Sequence, residues 1–232
     1  MMDKWALELG TGLGVVSLAG VLSLPGFRII SVELDEKLFK AASMTVGWVR
    51  ELALVRGDGL RIVESCRVPL VFSSTPFNIS APLALALARN NSVSHAVLGV
   101  QKEVADRMVA KPGTRDYGRL TLVTQMIFRV SRLSNHSPRE FWPPPEVSAS
   151  VIVLERVREY DPLLHGMVEK LSACLFSQRN RLARKVFSNC ASKLGGENCV
   201  SAVQRIPESL RVRDLPPSMV EELAGWLVDC RS

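Results

Sequence analysis

The chain has 232 residues, of which 47% are hydrophobic and 22% charged, which is the balance of an ordinary globular protein and not of a disordered one. No apolar run reaches the roughly 18 residues that a membrane-spanning helix needs, and the N-terminal stretch "MMDKWALELG" lacks the apolar core of a secretory signal. We therefore expect a cytoplasmic protein with no membrane partner. The net charge of +6 favours a polyanionic partner.

The cysteines and histidines are scattered along the chain. Cys66, Cys174, Cys190, Cys199 and Cys230 include no C-x-x-C pair, and the three histidines are equally dispersed. Zinc sites and disulfide frameworks usually show tighter, paired spacing. The sequence therefore predicts reduced, packed thiols and no metal site.

Strand and helix patterns alternate through the first part of the chain. Apolar strand candidates at residues 5–9, 27–34, 52–58, 68–74 and 93–100 are separated by helical segments, which predicts a buried, parallel sheet of the Rossmann-like α/β class. Two later strand candidates, "QMIFRVSRL" and "SASVIVLERV", flank a proline-rich stretch that leaves no room for a long helix. We expect these two to form an antiparallel pair at one sheet edge.

The pattern changes after about residue 158. The segments "DPLLHGMVEKLSACLFSQ", "RLARKVFSNCASKL" and "PPSMVEELAGWLVDC" all have helical apolar spacing, and none resembles a strand. The sequence therefore predicts an α/β domain over residues 1–158 and a small all-helical domain over residues 159–232.

Three predicted strand ends carry residue types that suit a ligand site. Gly10, Gly12 and Gly14 follow the first strand, although their G-x-G-x-G spacing departs from the dinucleotide fingerprint. Glu33 ends the second strand, where a carboxylate can accept both ribose hydroxyls, while Asp35 suits a helix cap. Asp58 ends the third strand and could accept from an adenine amino group, or be a plain turn residue before glycine.

The fourth strand ends in "SSTPF". Alone, this stretch would be a proline turn with a core phenylalanine. The three preceding strand ends together, however, resemble those of class I S-adenosylmethionine methyltransferases, and Ser74-Thr75-Pro76-Phe77 resembles the (Asn/Asp/Ser)-x-Pro-(Tyr/Phe) motif of amino-methyltransferases. The resemblance implies that Ser74 and the Thr75 carbonyl accept from the target amino group, that Pro76 fixes the backbone, and that Phe77 stacks on the extruded base.

Longer segments of the sequence resemble one particular family of these methyltransferases. "VQKEVADRMVAKPGTRDYGRLTLVTQ", "FWPPPEVSASVIVLE" and "LFSQRNRLARKVF" resemble, in this order, the KsgA-type small-subunit ribosomal RNA adenine dimethyltransferases, from about residue 5 to the C-terminus. The resemblance implies dimethylation of two adjacent adenosines near the 3′ end of small-subunit rRNA, late in subunit assembly. We expect S-adenosylmethionine to be the cofactor and the chain to act as a monomer.

The resemblance also assigns residues to each role. The cofactor-binding set is Glu8, Gly10, Gly12, Gly14, Glu33, Leu34, Asp58, Gly59 and Ser74. The basic residues expected to contact RNA phosphates are Lys102, Arg107, Lys111, Arg115, Arg119, Arg179, Arg181, Arg184 and Lys185.

Two departures from the family pattern leave alternatives open. Ser74 stands where most members have Asn, and the chain begins almost at the first strand, where members carry an additional N-terminal segment. Both departures favour an alternative in which the protein is an RNA-binding assembly factor with weak or no catalysis. A related enzyme acting on large-subunit rRNA and an NAD-dependent oxidoreductase are disfavoured, the latter by the glycine spacing.

Overall fold

The structure is a computed structural model that describes residues 4–74, 79–141 and 144–231. In this part of the chain, seven strands form one sheet in the order β3-β2-β1-β4-β5-β7-β6. The strands are β1 (Lys4–Leu9), β2 (Phe27–Glu33), β3 (Leu52–Arg56), β4 (Leu70–Ser74), β5 (His95–Gln101), β6 (Phe128–His136) and β7 (Ala149–Arg156).

Helices connect these strands and form the whole of the C-terminal region. They are α1 (Val15–Ser23), α2 (Glu36–Thr45), α3 (Gly59–Ser65), α4 (Ser80–Arg89), α5 (Lys102–Met108), α6 (Arg119–Ile127), α7 (Pro162–Phe176), α8 (Ala183–Gly195) and α9 (Pro217–Arg231). Short 3-10 segments cover Pro138–Glu140, Glu197–Arg205 and Val212–Asp214. None of the helices in the described ranges is both long and apolar enough to cross a membrane.

The pairing of the strands sets the position of the site. β1 pairs in parallel with β2 and β4, β2 with β3, and β4 with β5, whereas β7 runs antiparallel to β5. Leu9 lies opposite Val32 on one side and Ser73 on the other, so the carboxyl ends of β1, β2 and β4 meet at one edge. The predicted fold class, with a mostly parallel sheet and C-terminal helices, is confirmed.

One predicted boundary is wrong. The strand expected to begin at Gln125 begins at Phe128, because Arg119–Ile127 form α6. The apolar residues of this segment run from helix into strand without a glycine or proline at the junction, so the periodicity gives no sharp boundary.

The chain divides into two compact units. The first contains residues 1–105 and 129–157, and the second contains residues 106–128 and 158–232. Residues 106–128 belong to the same compact unit as the C-terminal helices, whereas the sequence predicted them in the first domain. Because compactness does not test where functional domains end, the division at residue 158 stays a prediction.

The expectation of reduced thiols is wrong for four of the five cysteines. Disulfides join Cys174 to Cys190 and Cys199 to Cys230, and Cys66 is free. Sequence spacing missed these bonds because packing between helices, and not closeness along the chain, brings the pairs to Cα–Cα distances of 5.9 and 5.7 Å. Closing loops of 16 and 31 residues stabilises the folded second unit by about 3 to 4 kcal/mol per bond in the chain-entropy account.

Candidate functional site

A cleft of ≈ 530 Å³ opens at the carboxyl ends of β1, β2 and β3. Its volume lies in the range of small-molecule sites, and parallel sheets bind ligands at this edge. The residues that line it are Leu9, Gly10, Val32, Glu33, Leu34, Asp35, Glu36, Gly57, Asp58, Gly59, Leu60 and Ile79. The structure thus brings together five of the predicted cofactor residues, namely Gly10, Glu33, Leu34, Asp58 and Gly59.

Glu33 is the most firmly positioned acid in the cleft. The backbone N–H of Gly12 donates to its Oε2 at 2.9 Å, and the backbone N–H of Asp35 donates to its Oε1 at 2.9 Å. The residue is only 7% exposed. Since each carboxylate oxygen has two lone pairs, each keeps one acceptor position for a ligand hydroxyl. The side chain is therefore held in an orientation in which its two oxygens could accept hydrogen bonds from two adjacent hydroxyl groups.

Two of the other three acids of the cleft, Asp35 and Asp58, cap helices. Asp35 Oδ1 accepts from the backbone N–H groups of Lys37 and Leu38, at 2.8 and 2.9 Å, and the bond from Leu38 lowers the pKa of Asp35. Asp58 Oδ1 accepts from the Leu60 N–H at 3.0 Å at the start of α3. Asp58 therefore caps a helix and lines the cleft, so the two roles left open for it are compatible.

Glycine is favoured at all three positions of the first turn, but for a different structural reason at each. Gly10 has φ +83°, and a Cβ there would lie 3.8 Å from the Ser74 carbonyl oxygen, so the ends of β1 and β4 are neighbours. Gly12, with φ +55°, presents its N–H to Glu33. Gly14, with φ +86°, packs on Val46, and a Cβ would come within 2.7 Å of that side chain. Gly12 and Gly14 shape the turn but do not line the cleft.

Glu8 lies behind the glycine turn and is fully buried. The hydroxyls of Ser17 and Ser31 donate to its Oε2, at 2.5 and 2.6 Å, while its Oε1 has no hydrogen-bond partner among the described residues. Burial raises the pKa of Glu8, and the two hydroxyl bonds oppose that shift. The sequence analysis missed this network, although Ser31 interrupts the apolar run of β2 and pairs with Glu8 in the register.

The end of β4 is only partly described. Ser74 is the last residue of the strand and is exposed beside Gly10. Thr75, Pro76 and Phe77 lie outside the described residues. Their predicted roles, like that of Ser74, stay predictions.

The predicted RNA-contacting cations belong to different units. Lys102 lies in the first unit, and the other eight lie in the second. Among the described residues of the second unit, six of these cations are exposed and form no ion pair, namely Arg107, Lys111, Arg115, Arg119, Arg181 and Lys185. Arg184 is different, because its guanidinium donates to the Ile206 carbonyl and pairs with Glu208 at 2.7 Å.

Within the second unit, the basic residues of 107–119 and those of 179–185 lie side by side. Arg179 donates to the Thr114 carbonyl at 3.3 Å, and the Gly113 N–H donates to the Arg213 carbonyl at 2.9 Å. This contact adds two exposed arginines, Arg211 and Arg213, to the same basic surface. Neither arginine was predicted, because Arg213 lies in a short 3-10 segment, Arg211 lies directly before it, and the stretch has no charge run of its own.

Comparisons with known proteins show the family to which this chain belongs. Residues 3–226 match the profile of the family described as "Ribosomal RNA adenine dimethylase". The chain is 41% identical over 173 residues to a probable ribosomal RNA small subunit methyltransferase A of Aeropyrum pernix, an alignment that spans 75% of this chain and 61% of the relative. It is 32% identical to the protein of the same name from Methanopyrus kandleri, over 96% of this chain and 82% of the relative.

A solved structure supports the fold. The crystal structure of a dimethyladenosine transferase from Plasmodium falciparum superposes with a TM-score of 0.79 at 21% identity, covering 94% of this chain and 88% of the other. At this identity the similarity shows a shared fold.

Proposed function

Because this chain belongs to the ribosomal RNA adenine dimethylase family, we propose that it methylates the exocyclic amino nitrogen of adenosines in small-subunit rRNA. The expected substrate is two adjacent adenosines near the 3′ end, modified late in subunit assembly by a cytoplasmic monomer. One observation carries the proposal. The Glu33 carboxylate is fixed by two backbone N–H groups in a cleft beside the end of β4, where the Ser-x-Pro-Phe motif begins.

The cleft residues fit S-adenosylmethionine. Glu33 would accept from the two ribose hydroxyls, and Asp58 would accept from the adenine amino group through the acceptor positions that its capping bond leaves open. Leu34, Leu60 and Ile79 supply apolar walls for a flat ring. The bound cofactor would supply a sulfonium-activated methyl group for direct displacement.

The target base would lie at the end of β4. An adenine amino nitrogen is a poor nucleophile because its lone pair is drawn into the ring. Acceptors at Ser74 and the Thr75 carbonyl would hold its two hydrogens, and Phe77 would stack on the base extruded from its helix. Catalysis would then consist mainly of positioning the amino group in line with the methyl group.

A second function, an assembly factor that binds rRNA without methylating it, is favoured by Ser74. A serine hydroxyl is shorter than the asparagine side chain found in most family members and can donate as well as accept, so it would polarise the amino group less. The two functions share the RNA-binding surface and differ in the chemical step. Methyl transfer by the native chain distinguishes them.

We predict that Glu8→Gln keeps or raises the folding stability but lowers the affinity for the cofactor. Because burial raises the folded-state pKa of Glu8 above 4.5, the stabilisation from its bound proton is present below that pH and is lost as the pH rises through the folded pKa. Glutamine removes this loss, so the free energy of unfolding at pH 7 should equal or exceed that of the native chain. S-adenosylmethionine carries positive charge, so its affinity should fall by roughly tenfold, about 1.4 kcal/mol.

Urea unfolding at several pH values and calorimetric titration of the cofactor measure both effects. Glu8→Asp, which keeps the charge, is the matched variant. If Glu8→Gln bound the cofactor as tightly as the native chain, Glu8 would have only a structural role.

We also predict which basic residues contact phosphate. Arg181→Gln and Lys185→Gln should each lower the slope of log affinity against log salt by about 1 for an rRNA hairpin, because each contact releases counterions. Lys193→Gln, which lies on the same helix as Lys185 (α8), is the matched control and should leave the slope unchanged. Equal slopes for all three variants and the native chain would remove this surface from the proposed RNA site.

A further inference from the structure

The Cys174–Cys190 disulfide encloses part of the basic surface. Cys174 lies near the end of α7 and Cys190 lies in the second half of α8, with 16 residues of separation. Between them lie the connecting residues 177–182 and the first turns of α8. This enclosed stretch contains four of the cations assigned to RNA, namely Arg179, Arg181, Arg184 and Lys185.

The enclosed loop is also held from outside by the segment that precedes α9. The Ala183 N–H donates to the Leu210 carbonyl at 2.7 Å, and the Val212 N–H donates to the Arg181 carbonyl at 3.0 Å. The Arg213 N–H in turn donates to the Arg179 carbonyl at 2.9 Å. Hydrogen bonds therefore fix the backbone that carries Arg179 and Arg181, although the Arg181 side chain is exposed.

Two of the enclosed arginines stabilise the loop through their side chains. Arg179 reaches the Thr114 carbonyl, and Arg184 reaches the Ile206 carbonyl and Glu208. Arg181 and Lys185 are exposed and form no ion pair with any described residue. The loop therefore combines arginines that bind the protein with cations that remain available to a phosphate.

We infer that Cys174 and Cys190 are positioning residues for RNA: their disulfide holds Arg181 and Lys185 in the binding arrangement before the RNA arrives. The inference rests on the proposed function, since it takes the partner to be rRNA. A loop ordered in advance loses less conformational entropy on binding. The disulfide fixes α7 against α8, and these helices carry the two ends of the loop.

The second disulfide offers a matched control. Cys199–Cys230 lies in the same unit and joins the Glu197–Arg205 segment to α9. The stretch that it encloses contains none of the nine cations predicted to contact RNA. It does contain Arg211 and Arg213, but the backbone hydrogen bonds from Val212 and Arg213 to the loop do not depend on this disulfide and would keep them in place. It should stabilise the unit by a similar amount. A change in RNA affinity that came only from lower stability would therefore follow from removal of either disulfide.

The experiment compares Cys174→Ala/Cys190→Ala with Cys199→Ala/Cys230→Ala under non-reducing conditions, at a temperature where circular dichroism shows native helix content for both. For a small-subunit rRNA hairpin, the first variant should bind about three- to tenfold more weakly than the native chain. Its salt slope should stay native, because no charge is lost. The second variant should bind within about twofold of the native chain, since its enclosed stretch holds none of the nine predicted cations and the backbone bonds to Arg179 and Arg181 would still hold Arg211 and Arg213 on the surface.

Three results would overturn the inference: native affinity in the Cys174→Ala/Cys190→Ala variant, an equal loss in both variants, or a flattened salt slope in the first. The cofactor affinity of the first unit is a further readout and should stay native in both variants. If the native chain itself showed no salt-dependent binding to the hairpin, that result would contradict the proposed function, on which this inference rests. Native binding that is insensitive to the disulfide would instead reject this inference alone.

Discussion

Replacement of Glu33 by alanine is expected to weaken S-adenosylmethionine binding by about a hundredfold or more, because hydrogen bonds to a charged acceptor contribute about 1.5–3 kcal/mol each. The carboxylate is held by Gly12 and Asp35 with one acceptor position free on each oxygen, so the loss would include two hydrogen bonds to ribose. Glu33→Gln should have an affinity between those of the native chain and Glu33→Ala. Its amide nitrogen would face a backbone N–H, so the side chain would lose one acceptor. Calorimetric titration of the purified chain measures these affinities.

Asp35→Ala is the matched control for this prediction. It removes an acid two residues away that caps α2 through the N–H groups of Lys37 and Leu38. The variant should lose a small part of its folding stability, as expected when a helix cap is removed, and keep most of its cofactor affinity. A result in which Asp35→Ala lost more affinity than Glu33→Ala would contradict the assignment of the two acids.

Phe77→Ala is expected to lower the rate of methyl transfer by about one to two orders of magnitude, the range of 1–3 kcal/mol measured for a base stacked on an aromatic ring. The proline-aromatic end of the motif would then hold the adenine after it leaves its helix. Phe77→Tyr keeps the ring and should retain most of the rate. Single-turnover transfer with saturating cofactor isolates this step from cofactor binding.

The affinity for S-adenosylmethionine should be unchanged in both Phe77 variants. Comparable rates for alanine and tyrosine would show that the base does not stack at this position. A parallel loss of cofactor affinity in Phe77→Ala would instead place the ring against the cofactor.

The sequence was informative where a local rule determines the structure. The positions of Glu33 and Asp35 could be predicted because one ends a strand and the other begins a helix, and Asp35 makes the helix-cap hydrogen bonds expected of it. The strand order places the strand ends together, and five of the nine predicted cofactor residues line the cleft there. The glycine turn was predicted as a group, although Gly14 owes its identity to packing against Val46.

Features that depend on contacts between distant segments could not be predicted. The disulfides require helices to pack, the Glu8 network requires the register of β1 with β2, and the addition of Arg211 and Arg213 to the basic surface requires a contact with the loop at Gly113. None of these has a signature within a short window of sequence. The start of β6 was wrong for a related reason, since the apolar pattern is continuous across the junction with α6.

Methyl transfer from labelled S-adenosylmethionine to immature small ribosomal subunits tests the central claim most directly. We predict that the native chain labels the 3′ region of the rRNA, and that nuclease digestion releases the label as dimethyladenosine. Binding of both cofactor and subunits without transfer, in the native chain and in Ser74→Asn alike, would contradict the claim and support the assembly factor instead.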